Sequence, residues 1–157
     1  MSRRQAREFA LQALYQLDLI PAETQDADVQ EQQALDTAFM ESEEAVSEKT
    51  RDFAKALVRG VRTHSAAIDE KIGQYAKWKI ARMAVVDRSI ARIAVYEMMF
   101  AEPRQKPNIA IDEAVELAKM FGTDDSAKFL NGVLDAIAKA QEAESAEQEP
   151  QKQKTEQ

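Results

Sequence analysis

Val86 to Phe100, VDRSIARIAVYEMMF, is the stretch that limits most sharply what this chain can fold into. At the helical step of about 100° per residue, Val86, Ile90, Ile93 and Glu97 share one narrow stripe. Ala91, Ala94 and Met98 widen it on one side, and Tyr96, Met99 and Phe100 on the other. The polar residues Asp87, Arg88, Ser89 and Arg92 are confined to the first two turns, and the second half is apolar almost all round. A helix of that kind is wrapped by other helices rather than laid on a surface. Glu97 is the exception, because a carboxylate on a buried stripe needs donors. Its position predicts a structural hydrogen-bond hub tying a loop to the core, in preference to a catalytic acid.

The 157 residues are enough for one domain with a real core, and four Gly, four Pro and few β-branched runs favour helices throughout. The expected fold is all-α, a compact bundle of about six to seven helices. Residues 1–140 form the domain, and 141–157, rich in Gln, Glu and Lys without apolar anchors, form a disordered tail. There is no Cys, which excludes disulfides and thiolate metal sites. The start lacks an apolar signal core, and no apolar run approaches the roughly 18 residues of a membrane span. A cytoplasmic protein without membrane contact is expected.

In chain order, helix one runs from about Ser2 to Leu19, burying Ala6, Phe9, Ala10, Ala13, Leu14 and Leu17. Arg4, Arg7, Leu11 and Tyr15 lie on another stripe. Pro21 ends this helix, and a short helix spans about 32–41. Ser47 caps a long helix over 48–75, with Phe53, Leu57, Val61 and Ile68 inward and Gly60 and Gly73 as places where it can break. His64 and Trp78 read as packing residues. Asn108 is the expected cap of the next helix and Gly122 its terminator. Thr123 or Asp124 caps the last helix, where Gly132 suggests a close crossing.

Catalytic constellations are absent from this pattern. One His, no Cys and glycines at 60, 73, 122 and 132 give no HExxH, no GxGxxG and no phosphate loop. The expectation is a non-enzyme with no cofactor and no metal. The net charge of −7 looks hostile to nucleic acid, but residues 19–48 carry nine acids and no Lys or Arg, while residues 49–138 carry fifteen basic groups against twelve acids. Three arginines in the first two turns of helix one oppose the helix dipole, so local stability does not explain them. They are either a solvated basic end or a phosphate-binding cluster with Tyr15 as aromatic neighbour.

RRQAREFALQALYQ, DRSIARIAVYEM and IAIDEAVELAKMFGTDDSAKFLNGVLD, in that order, resemble the NusB family of bacterial antitermination factors over about residues 3–138. The resemblance implies an all-α fold of two packed helical subdomains, and pairing with NusE, a small-subunit ribosomal protein. It implies binding of the single-stranded boxA element of ribosomal RNA leaders, within an RNA polymerase complex that resists premature termination. It assigns Arg3, Arg4, Arg7, Gln12, Asp125, Lys128 and Phe129 to the RNA surface, and Tyr15 and Asp87 to the NusE side. Gln5 stands where another basic residue is often found, and Arg92 matches a basic family position. Some family members self-associate, so a homodimer is possible. A similar domain fronts certain ribosomal RNA cytosine methyltransferases, but those need a catalytic Cys and a following cofactor domain. The competing reading is a helical protein–protein adaptor without RNA.

Overall fold

Because the central stripe needs cover on all sides, the other helices are arranged around it. The computed structural model describes residues 2–20, 26–76 and 82–156, and side chains among them from 3 to 146. Its elements are α1 (Ser2–Asp18), α2 (Ala27–Met40), α3 (Glu48–Thr63), α4 (Ser65–Tyr75), α5 (Val85–Val95) continued by a π-helical turn (Tyr96–Phe100), α6 (Pro107–Phe121) and α7 (Asp124–Glu156). No strand occurs among the described residues. One group, α1 to α3, packs mutually; the other pairs α6 with α7 and adds α4; α5 touches α1, α4, α6 and α7 and joins the two groups. Ile90, Ile93, Val95 and Met98 are fully buried at that junction.

Local chemistry explains the boundaries. The Ser47 hydroxyl accepts from the Thr50 amide and starts α3. The expected long helix divides, but at neither glycine: the break falls at His64, whose ring stacks on Phe100 of the π turn at 5.0 Å and whose Nδ1 lies 3.0 Å from the Gly60 carbonyl. Gly60 serves a close approach instead, with the Tyr96 ring occupying the space of a side chain. Gly132, expected at a crossing, faces open space. Helix α6 starts one residue before the expected Asn108 cap, because Pro107 at its first position has the right φ already and lacks only an amide that has no helical partner there. Gly122 does end α6, at a negative φ of −111°; it is needed for room beside the Ala118 carbonyl and the Ser126 hydroxyl, not for left-handed backbone.

The acidic segment is less solvated than its composition suggests. Helix α2 begins earlier than expected, at Ala27, with Asp26 accepting from the Asp28 amide. Glu31 is buried and takes a 2.8 Å hydrogen bond from Arg59 of α3, which also pairs with Asp28. Phe9 of α1 meets Phe39 of α2 edge-on at 5.1 Å. Helix α7 continues to Glu156, past the point where a disordered tail is expected; the Gln141 amide reaches the Met98 carbonyl, and residues 142–146 beyond it are exposed. Pro21 and Trp78 lie outside the described residues.

Candidate nucleic-acid interface

The three arginines of α1 do not form one exposed arm. Arg7 is buried, 3% exposed, and its guanidinium grips Glu97 through Nε and Nη2 at 2.7 and 2.8 Å. Burial alone would lower the Arg7 pKa; the hydrogen bonds and charge of Glu97 overcome that and hold it above the ordinary value. Arg7 is therefore corrected from a surface cation to a buried one. Glu97 also ties down the loop that follows the π turn, because its carbonyl accepts from the Gln105 amide at 2.7 Å.

Arg4 is half exposed and fork-bonded to Glu113 of α6, both contacts 3.0 Å. The hydrogen bond from Arg4 holds the Glu113 carboxyl below its usual range, against the effect of burial. A depressed carboxylate adds stability above the ordinary Glu range and loses it as pH falls through the lower folded value. The neighbouring Glu8 is pushed up by burial, with the Arg4 charge opposing. Arg3 is exposed and lays its guanidinium 5.0 Å from the Phe53 ring centre. Further along α1, Gln12 is half-buried with its Oε1 lacking a hydrogen-bond partner, and Tyr15 is 41% exposed.

The second cluster sits where α7 begins. Thr123 and Ser126 exchange hydrogen bonds in a reciprocal cap: the Thr123 hydroxyl accepts from the Ser126 amide at 3.1 Å, and the Thr123 amide donates to the Ser126 hydroxyl at 3.2 Å. This leaves Asp124 and Asp125 exposed in the first turn, where the dipole favours acids. Phe129 is half-buried: it packs against the core and also lines a cleft of about 340 Å³ with Asp125, Asp87 and Arg82. Lys128 is exposed beside it. Two residues assigned to RNA and one assigned to NusE thus share one cleft.

The two clusters lie at opposite ends of the molecule's central layer. The start of α1 meets the π turn through Arg7–Glu97, and its end meets the start of α5 through Asp18, which pairs with Arg88 and approaches Arg92. The eleven helical steps from Arg7 to Asp18 rise roughly 16 Å between the two contacts. Arg92 is itself fork-bonded to Asp69 at 2.8 and 2.9 Å, so its side chain is committed to an internal pair. Helical periodicity places Phe53 inward; the structure leaves it partly exposed under Arg3. Its signal was available, since Lys49 precedes it by one helical turn at the exposed start of α3.

The NusB family model matches residues 4–139. A transcription antitermination protein NusB from Bdellovibrio bacteriovorus is 46% identical over 140 residues, covering 88% of this chain and 96% of that protein. The solved T. maritima NusB is 36% identical with a TM-score of 0.73, covering 87% of this chain and 90% of that one. A crystal structure of antitermination factors NusB and NusE in complex with dsRNA contains a chain 28% identical, with a TM-score of 0.74, covering 88% and 97%.

Proposed function

Because this chain belongs to the NusB family, we propose that it is a transcription antitermination factor that binds RNA in company with NusE. It works as a binding protein, not an enzyme, in the cytoplasm, where it hands the boxA-type single strand of a ribosomal RNA leader to the transcribing polymerase. No helix among the described residues is long and apolar enough to cross a membrane. The observation that carries the reading is the cleft at the start of α7. There a half-buried aromatic ring, Arg82 and the Asp125 carboxylate line one cleft, and the exposed Lys128 precedes the ring in α7, which is the combination that reads unpaired bases by stacking, charge and edge contacts.

Arg3 and Arg4 supply phosphate contacts at the far end, and Gln12, with its unpartnered oxygen, lies between. Arg7 acts indirectly, by fixing the start of α1 against Glu97. Tyr15 and Asp87 face NusE. The protein's net charge of −7 disfavours indiscriminate RNA binding, so affinity rests on the composite surface made with NusE. Titrating boxA-type RNA with and without NusE tests this. NusE should tighten binding, and the Arg3→Ala/Arg4→Ala variant should flatten the slope of log K against log salt by about 1.4, two single-strand phosphates' worth. Equal affinity with and without NusE, or an unchanged slope, would overturn the respective part. Loss of all RNA binding with NusE capture retained would favour a protein–protein adaptor.

Glu113 competes with RNA for Arg4. A phosphate must share or displace the carboxylate that now holds the guanidinium. Glu113→Gln should therefore bind the same RNA about two- to fivefold more tightly, the range of a surface ion pair. Weaker binding would show that Glu113 instead holds Arg4 in the posture RNA requires.

A further inference from the structure

Two clefts meet at Phe53. One, about 620 Å³, is lined by Arg3, Lys49, Asp52 and Phe53. The other, about 330 Å³, runs from Arg3 and Phe53 past Tyr96 to the loop bearing Glu102 and Arg104. Arg3 apart, none of the exposed residues lining this groove has a part in the reading above. Arg3, Lys49 and Arg104 outnumber Asp52 and Glu102, and Glu97, at the groove's floor, is neutralised by Arg7. The aromatic face is set in place: Arg7, locked by Glu97, stands 5.6 Å from the Phe53 ring centre. Arg3 covers the same ring at 5.0 Å but is exposed, so it can lift and lie on whatever stacks there. A flat ring overlaid by a movable guanidinium, with lone cations on both sides, suits an unpaired nucleotide.

We propose that the groove around Phe53 is an additional single-stranded RNA subsite, in which one base of the strand flanking the core element stacks between Phe53 and Arg3 while Lys49 and Arg104 hold the adjoining phosphates. The proposal rests on the RNA-binding reading above and extends the recognised strand past Arg4 to its sequence neighbour Arg3, which lines the groove. A protein ligand is the less fitting occupant, because the groove offers one planar platform and separated cations instead of an apolar strip.

The test compares a fluorescent boxA-type oligoribonucleotide of core length with the same RNA lengthened by four unpaired nucleotides at either end, on the full chain with NusE. The lengthened RNA should bind about tenfold more tightly, the worth of one stacked base. Phe53→Leu should abolish that gain and leave the core affinity unchanged. The surface variant Lys49→Gln/Arg104→Gln, which removes no packing, should reduce the gain and lower the salt slope of the long RNA by about 1.4. Extension that adds nothing to the wild type, or a gain that survives both variants, overturns the subsite. A loss of NusE capture in Phe53→Leu, with the gain intact, assigns the groove to protein and overturns it too. Failure of the wild type to bind either RNA refutes the RNA-binding reading itself and this subsite with it.

Discussion

Glu97→Ala is expected to lose about 3–5 kcal/mol of folding stability, the cost of leaving one member of a buried ion pair without its partner. Glu97 is 4% exposed and Arg7 3%. With the carboxylate gone, the nearest acid to the guanidinium is Glu113, whose oxygen is 3.8 Å from Nη1 and already committed to Arg4. Glu97→Gln should cost less, since an amide oxygen still accepts one hydrogen bond. The pair itself need not be a net source of stability: replacing both members by apolar residues, as in Arg7→Met/Glu97→Leu, should recover most of the loss. Urea unfolding of the three variants measures this. A loss below about 1 kcal/mol for Glu97→Ala would mean that water reaches Arg7. RNA affinity, measured on the folded fraction, should also fall in Glu97→Ala, because the start of α1 is held against the π turn through this carboxylate.

The pair illustrates what could be seen from the chain and what could not. Glu97 was recognisable as a carboxylate in need of donors because its stripe repeats locally. The donor was not recognisable, because it lies 90 residues away. A local hint did exist. Arg7 shares its stripe with the apolar Leu11, which is 2% exposed, so the middle of that stripe faces the protein while Arg4 and Tyr15 at its two ends reach solvent. Three arginines in two turns read as one cluster in sequence but divide by angle into an exposed cation, one shared with Glu113 and one buried. The cleft of Phe129, Asp125 and Asp87 has the same character: each residue matched a family position, but their meeting depends on α7 starting beside α5. The fold was more legible than the site because helical periodicity is written within a few turns, whereas a site is written in which helix ends meet.

Gly60→Ala is the second large effect expected, a loss of about 1–3 kcal/mol, the cost of overpacking a filled interior. In an isolated helix the same change would gain up to about 1 kcal/mol from propensity, so the sign of the result is itself diagnostic. A methyl group built at Gly60 falls 2.1 Å from Tyr96 Cζ and 2.5 Å from its hydroxyl oxygen. The ring must shift to make room, away from His64 at 5.9 Å and toward the groove it lines, and the π turn that carries Tyr96 also carries Glu97 and Phe100. Displacing Tyr96 therefore strains the turn that places Glu97 opposite Arg7, and the two sites should be energetically coupled. Trimming the ring should relieve the clash, so Gly60→Ala should cost markedly less in a Tyr96→Leu background than in the wild type. Thermal unfolding of the four proteins in that cycle gives the coupling directly. Equal cost of Gly60→Ala in both backgrounds would show that α3 and the π turn do not meet as closely as the structure has them. A net gain in stability in the wild type would show that the glycine answers to something other than the Tyr96 ring.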